Sequence, residues 1–227
     1  FGNKDGSLTV ALVGDSKIEQ WFTALDAIAA ERGWRLTTYL KSACAFAEPT
    51  VASDEDRHRN CASWSTEALE RVKQDQPDLV LTSTLRILGG KAGDDYSNGA
   101  TRTAAWWSAL IDSGIAVIPV IDNPLPPFDV PECVAESPER LAECSFDLDQ
   151  GVRDSGAQYQ YLAAQMLGID GVVDMTPVVC PGGSKCPPVI GNVLLYRQGS
   201  HLTRTYVDTA TDELRDRLLP LVEAHSG

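Results

Sequence analysis

Ser16 stands where a hydroxyl can become a nucleophile. Residues 8–13 form an apolar run, Gly14-Asp15-Ser16 interrupts it, and from Ile18 apolar residues recur at helical spacing: Ile18, Trp21, Phe22, Leu25, Ile28 and Ala29. A strand, a tight turn and a helix start leave the hydroxyl at the turn. Backbone N–H groups at the positive end of the helix dipole lie beside it and can stabilise a developing oxyanion. A serine hydroxyl also needs a general base. The histidines are His58, His201 and His225. His58 sits in the charged run DEDRHR, read as a solvated loop, and His225 in the C-terminal tail. His201 follows a strand-like tract and Gly199-Ser200, which makes it the best-placed base. Ser16 has a second use. With Glu19 three residues later it forms S-x-x-E, the capping box of a helix start. The two uses are compatible, because Glu19 can hold the turn that exposes Ser16.

The elements that would position these residues alternate. Strands are expected at 8–13, 34–40, 79–83, 115–121 and 172–175, with 193–196 strand-like, and helices at 18–32, 64–74, 101–113, 156–167 and 209–224. Such alternation predicts an α/β sandwich around a mainly parallel sheet. Ligand sites in these sheets lie beyond the carboxyl ends of the strands. Ser16, residues 82–86, residues 122–124 and His201 all follow strand-like tracts, so the fold can bring them together. The long polar segments 41–60, 85–99 and 122–149 exceed ordinary connections and are expected to carry recognition. Trp64, Trp106 and Trp107 suit either a sugar-stacking surface or the core, with core packing the expectation for Trp64 and one of the adjacent pair.

The totals narrow the class. A chain of 227 residues, 43% hydrophobic, is expected to bury one core as a single domain over 8–227, with the polar, Gly-containing residues 1–7 read as a linker or boundary segment. A formal net charge of -13 excludes a polyanionic partner such as nucleic acid. No apolar run is long enough to span a membrane, and no signal peptide is visible. The six cysteines fall into sequential pairs, Cys44 with Cys61, Cys133 with Cys144 and Cys180 with Cys186. Reduced thiols are one reading; metal ligation lacks a CxxC and a histidine cluster. Each pair brackets a loop, which favours local disulfides worth ~2–4 kcal/mol each and an oxidising compartment. Connectivity stays open at this stage, and no metal or cofactor is expected.

Read together, the ends of the chain resemble a known family. GDS near the N-terminus and YRQGSHLT near the C-terminus resemble the first and last blocks of the SGNH hydrolase superfamily, Ser16 matching the nucleophile and His201 the base. GDSKIEQW, the Cys44…Cys61-x-x-Trp64 loop, PDLVLTS, the D-x-P and VPEC tracts and the C-P…C-P loop resemble, more narrowly, SGNH domains fused to membrane acyltransferase-3 proteins. The resemblance covers roughly residues 8–207. It implies a flavodoxin-like α/β/α sandwich. It implies a serine that takes an acyl group as an ester and passes it to a hydroxyl or to water. It also implies an extracytoplasmic setting beside a membrane acyltransferase-3 domain in the same full-length chain, with a cell-envelope glycan or glycolipid as acceptor.

Departures from the pattern bear on mechanism. The family usually has Asp three residues before the histidine; here it is Gln198. A neutral amide can orient an imidazole but cannot balance an imidazolium, and replacing the Asp of a serine-protease triad by Asn costs ~10⁴ in turnover. The site is then a Ser–His dyad, is served by another carboxylate such as Asp208 or Asp154, or is weakened; Gln198→Asp is expected to raise esterase turnover. Lys17 occupies a position where relatives often carry His, which suggests a substrate or carboxylate contact. The family's Gly and Asn oxyanion donors have no clear counterpart; Ser42, Thr82 and Ser83 are nearest in order. The expected function is O-acyl transfer through Ser16 and His201. Carbohydrate deacylation and non-catalytic glycan binding by a degraded site are the alternatives.

Overall fold

The computed structural model describes residues 1–49, 56–85 and 96–225. In chain order β1 (Thr9–Gly14) leads to α1 (Ser16–Glu19) and α2 (Phe22–Arg32), then β2 (Arg35–Leu40), α3 (Asp56–Asp75), β3 (Leu79–Ser83), α4 (Tyr96–Ile111) and β4 (Ala116–Pro119). The excursion that follows carries α5 (Val130–Glu136), a 3-10 turn (Leu141–Cys144), β5 (Phe146–Asp147) and α6 (Leu148–Asp154). Next come α7 (Ala157–Leu167) and α8 (Thr176–Val179), then the short strands β6 (Lys185–Cys186), β7 (Val189–Ile190), β8 (Val193–Leu194), β9 (Tyr196–Gln198) and β10 (His201–Leu202). The helices α9 (Arg204–Thr209) and α10 (Thr211–His225) end the described chain.

The central sheet has the order β2-β1-β3-β4, every pair parallel. β1, β3 and β4 are buried on both faces while β2 is a partly exposed edge, and alternation along the strands sorts the core into two layers. Val10, Leu12, Leu36, Leu79, Leu81 and Ile118 face Leu25 and Ile28 of α2 and Leu214 and Leu218 of α10. Ala11, Val13, Val80 and Val117 face Leu69 and Val72 of α3, Trp107 and Leu110 of α4, and Ala163 of α7. This is the expected three-layer α/β/α sandwich with a parallel sheet. Because the strands run in one direction, their carboxyl ends share one edge, and the loops after β1, β3 and β4 open there.

Several elements differ from the periodicity. The helix expected at 18–32 is broken at Gln20-Trp21, where Trp21 is buried and the Gln20 side chain turns toward other loops. The strand expected at 172–175 is reduced to one parallel bridge, Val120 with Val173. The closing helix expected at 209–224 is α10, and a short helix not expected from the periodicity, α9, precedes it. Residues 1–7, read as linker-like, lie along β2: the Asn3 N–H donates to the Trp34 carbonyl at 2.7 Å, and Phe1 meets Phe22 edge-on. Disulfides join Cys44 to Cys61, Cys133 to Cys144 and Cys180 to Cys186, as the spacing suggested. Trp107 is buried and Trp64 and Trp106 pack against the same layer, so these rings serve the core. The segments 41–60 and 85–99 fall partly outside the described residues. His58 lies within α3, but its side chain is also outside them.

Candidate active site

The turn after β1 depends on Gly14. Its φ is +147°, and a Cβ there would meet the Ser83 carbonyl oxygen at 2.4 Å. Glycine therefore allows β1 and β3 to approach just before the chain turns. The next residue, Asp15, caps the helix: its Oδ1 accepts the Lys17 N–H at 2.8 Å and its Oδ2 accepts the Leu85 N–H at 2.9 Å. This corrects the capping-box expectation. The cap sits one residue earlier than Ser16, and Glu19 is exposed. The Ser16 hydroxyl is thereby released from capping. Burial pushes the Asp15 carboxyl up to about 7, against the two amide hydrogen bonds that favour its charged form.

Ser16 Oγ lies 2.7 Å from His201 Nε2, across 185 positions of sequence. His201 Nδ1 is 3.1 Å from the backbone carbonyl of Gln198. A carbonyl can only accept, so Nδ1 carries the proton and Nε2 accepts from Ser16. Gln198 meets the imidazole through its main-chain carbonyl rather than through the side-chain amide that was expected to orient it, and that side chain is exposed. Burial is the largest influence on His201 and lowers its pKa. The Lys17 and Arg197 charges lower it further, while the Gln198 carbonyl and Asp122 act in the opposite sense. The result is a neutral imidazole near physiological pH, the form a general base requires.

The loop bearing His201 is held from several sides. Gln20 Oε1 accepts the Leu202 N–H at 3.0 Å, and Gln20 Nε2 donates to Asn123 Oδ1 at 2.8 Å. Asn123 Nδ2 donates to the Ser200 carbonyl at 2.7 Å. Beyond the imidazole, Thr203 caps α9 and its hydroxyl donates to the Leu194 carbonyl at 2.6 Å. Gln20, Asn123 and Ser200 were not singled out in the sequence. A signal was available for Asn123, since Asp122-Asn123 is a polar pair closing an apolar strand. Gln20, at the C-cap of α1, carried no such local signal.

The remaining candidates divide. Lys17 is buried and ion-paired with Asp122 rather than facing the cleft, so of its two readings a carboxylate contact is the one observed. Ser42 is exposed in the turn after β2. Thr82 and Ser83 are buried at the end of β3, and the Ser83 hydroxyl has no partner. Of the suggested carboxylates, Asp208 accepts from Thr23 at 2.7 Å and pairs with Arg204 at 3.6 Å on the surface. Asp154 ends α6. Neither is bonded to His201. The first turn of a helix leaves its leading N–H groups without intrahelical partners, which makes the Ser16 N–H, beside its own hydroxyl, the candidate oxyanion donor.

A cleft of about 460 Å³ opens at Ser16. Phe22, Leu40 and Leu202 give it an apolar wall; Arg197, Arg204 and Glu19 contribute charge. Among the described residues no cluster of His, Cys, Asp and Glu is placed to hold a metal ion, and no helix is long and apolar enough to cross a membrane.

A parallel α/β/α sandwich with a serine and a histidine in contact at its carboxyl edge defines an SGNH hydrolase-like fold. The chain belongs to the family described as SGNH domain (fused to AT3 domains), whose family model matches residues 1–216. Among solved structures it is similar to the periplasmic domain of a lipopolysaccharide acetyltransferase from Salmonella ser. Paratyphi A. The identity is 15%, the TM-score 0.67, and 96% of this chain and 85% of that one are covered. A GDSL-like lipase from Bacteroides thetaiotaomicron VPI-5482 matches at 13% identity and a TM-score of 0.43, over 90% of this chain and 88% of that one. No curated protein matches the chain.

Proposed function

We propose that this chain is the extracytoplasmic O-acyltransferase domain of an acyltransferase-3 fusion, moving a short acyl group through a Ser16 ester to a hydroxyl of a cell-envelope glycan or glycolipid. The observation that carries the reading is the 2.7 Å contact between Ser16 Oγ and His201 Nε2 at the mouth of a cleft. Family membership supports the acyl chemistry and the membrane partner. Three disulfides support an oxidising compartment.

The geometry supplies the steps. His201 Nε2 takes the Ser16 proton as Oγ bonds to the acyl carbonyl carbon. The carbonyl electron pair moves to oxygen, facing the Ser16 N–H. Collapse expels the donor's leaving group, which receives the proton from His201, and leaves the acyl on Oγ. An acceptor hydroxyl then enters, gives its proton to His201, attacks the ester carbon and departs acylated as the proton returns to Ser16. Water in place of the acceptor turns the same ester into hydrolysis. The imidazolium in each step is stabilised by the Gln198 carbonyl, with no carboxylate bonded to Nδ1.

The test supplies an activated acetyl ester with and without purified envelope glycan and follows acetate and acetyl-glycan together. Acetyl-glycan formation that disappears in Ser16→Ala supports transfer. Acetate release unchanged by glycan makes the domain an esterase, and neither product from folded protein removes the enzymatic reading.

A further inference from the structure

Behind His201 lies a charge cluster that the reaction steps do not use. Lys17 Nζ is 3.1 Å from Asp122 Oδ1, with side chains only 4% and 2% exposed. The same ammonium donates to Ser200 Oγ. Asp122 Oδ2 accepts the Gly156 N–H at 2.8 Å, and the Asp122 N–H donates to Gln160 Oε1 at 2.8 Å. Gln160 is tied in turn to the Val120 carbonyl at 2.9 Å. Gly156 permits this approach, since a Cβ there would meet the Thr84 carbonyl oxygen at 2.1 Å.

A buried ion pair is a poor source of stability. Its desolvation cost rivals its Coulombic gain, and a well-packed apolar pair often does as well. Placement is what distinguishes this one. Lys17 directly follows Ser16, and Ser200 directly precedes His201. One ammonium thus links the residue after the hydroxyl to the residue before the imidazole, while Asp122 anchors that ammonium to the end of β4 and the start of α7.

We propose that Lys17 and Asp122 are positioning residues: the buried pair fixes Ser200, and through it holds the His201 ring within reach of Ser16 Oγ. The proposal rests on the acyl-transfer reading for its purpose, but its geometry can be tested separately. It gives the site its own answer to the absent carboxylate. The ring is held by a main-chain carbonyl on one side and by a charge-anchored serine behind, and no anion touches Nδ1. Besides the Ser16 hydroxyl, the charged and polar groups acting on the ring are Lys17 from α1, Asp122 from the loop after β4, and Arg197 and the Gln198 carbonyl from β9. Of these, Lys17 and Arg197 disfavour the imidazolium.

The experiment uses the 227-residue protein and a serine-directed phosphonate, with labelling of Ser16 followed by intact mass across pH and the His201 ring titrated by NMR. Ser200→Ala removes the contact but leaves the ion pair buried; Lys17→Met removes both contact and charge. Both are expected to slow labelling on the order of 10–100-fold on the high-pH plateau, the scale of a misplaced reacting group. Lys17→Met should also move the His201 midpoint upward, and Ser200→Ala should leave it near wild type. If Lys17→Met fails to fold, Ser200→Ala alone decides, because it disturbs no charge. Wild-type labelling in folded Ser200→Ala overturns the proposal, as does a Lys17→Met midpoint that stays in place. A wild-type protein that never labels defeats the acyl-transfer reading; the His201 titration then still decides the positioning.

Discussion

The two sides of Ser16 are built by different means. On the histidine side, Lys17 of α1, Gln20 just after it and Asn123 of the loop after β4 fasten one loop through their side chains, and the Gln198 main-chain carbonyl meets the ring. On the opposite side, where the acyl oxygen would sit, the side chains that sequence order suggested are unsuitable. Ser42 is exposed, and Thr82 and Ser83 are buried within β3. The donor proposed there is the main-chain N–H at the start of α1. Backbone N–H groups are already fixed by the turn and cost no side-chain ordering, whereas an imidazole at the end of a two-residue strand needs external support. The difference locates where this site is sensitive to mutation: broadly on the histidine side, and on the other side only where the turn itself is altered.

The largest effect is expected from that turn. Gly14→Ala places a Cβ against the Ser83 carbonyl at a φ hostile to side chains, and strain of this kind costs about 1–3 kcal/mol before any clash is relieved. Urea unfolding should show the loss, with Ser16 labelling falling in parallel. A stable, fully reactive variant would mean that the oxyanion side does not rely on backbone geometry. Gln20→Ala comes next. It leaves the Leu202 N–H and Asn123 Oδ1 without their partner, which costs about 1–3 kcal/mol and should slow phosphonate labelling on the order of ten-fold. Unchanged labelling would make the histidine side no more dependent on side chains than the other.

Much of this was legible in the chain and some was not. β1, β3 and β4 follow from apolar runs, β2 from alternation, and the disulfides from cysteines bracketing loops. Ser16 and His201 were readable because each lies in a local motif. Residues 122–124 were expected at the same edge, but the contacts made by Gln20, Asp122, Asn123 and Ser200 were not readable, because their partners are long-range: Gln20 to Asn123 spans 103 positions and Lys17 to Ser200 spans 183. Local spacing carries no information about such pairs. Helix 18–32 was read as continuous because Gln20 and Trp21 do not break its period; the break comes from what their side chains reach in the fold.

A smaller effect concerns pH. Burial raises the Asp15 carboxyl from 3.8 to about 7 in the folded protein. The folded state therefore holds this proton more tightly than the unfolded chain, so the contribution to stability is complete below about pH 4 and is lost as pH rises toward about 7. Asp15→Asn, which keeps a cap oxygen, should show a flatter urea midpoint across that window than wild type. An equally sloped variant would assign the pH dependence to other groups.

The smallest effect is expected at Gln198. Its carbonyl rather than its side chain meets His201, so Gln198→Ala should keep phosphonate labelling within about two-fold of wild type, as for an exposed substitution. The same geometry weakens the case for a large gain from Gln198→Asp, because the Nδ1 proton already has its acceptor. A ten-fold loss in Gln198→Ala would restore the side chain as the orienting group.

The central claim is that Ser16 and His201 form a working nucleophile and base. It is tested most directly by the rate of serine-directed phosphonate labelling, read by intact mass and peptide mapping, in wild type, Ser16→Ala and His201→Gln. The account predicts one adduct per chain on Ser16, absent in Ser16→Ala, and slowed at least a hundred-fold in His201→Gln, in keeping with general-base contributions of about 10²–10⁴. A folded wild-type protein that takes no adduct, or one that labels equally well without His201, would contradict it.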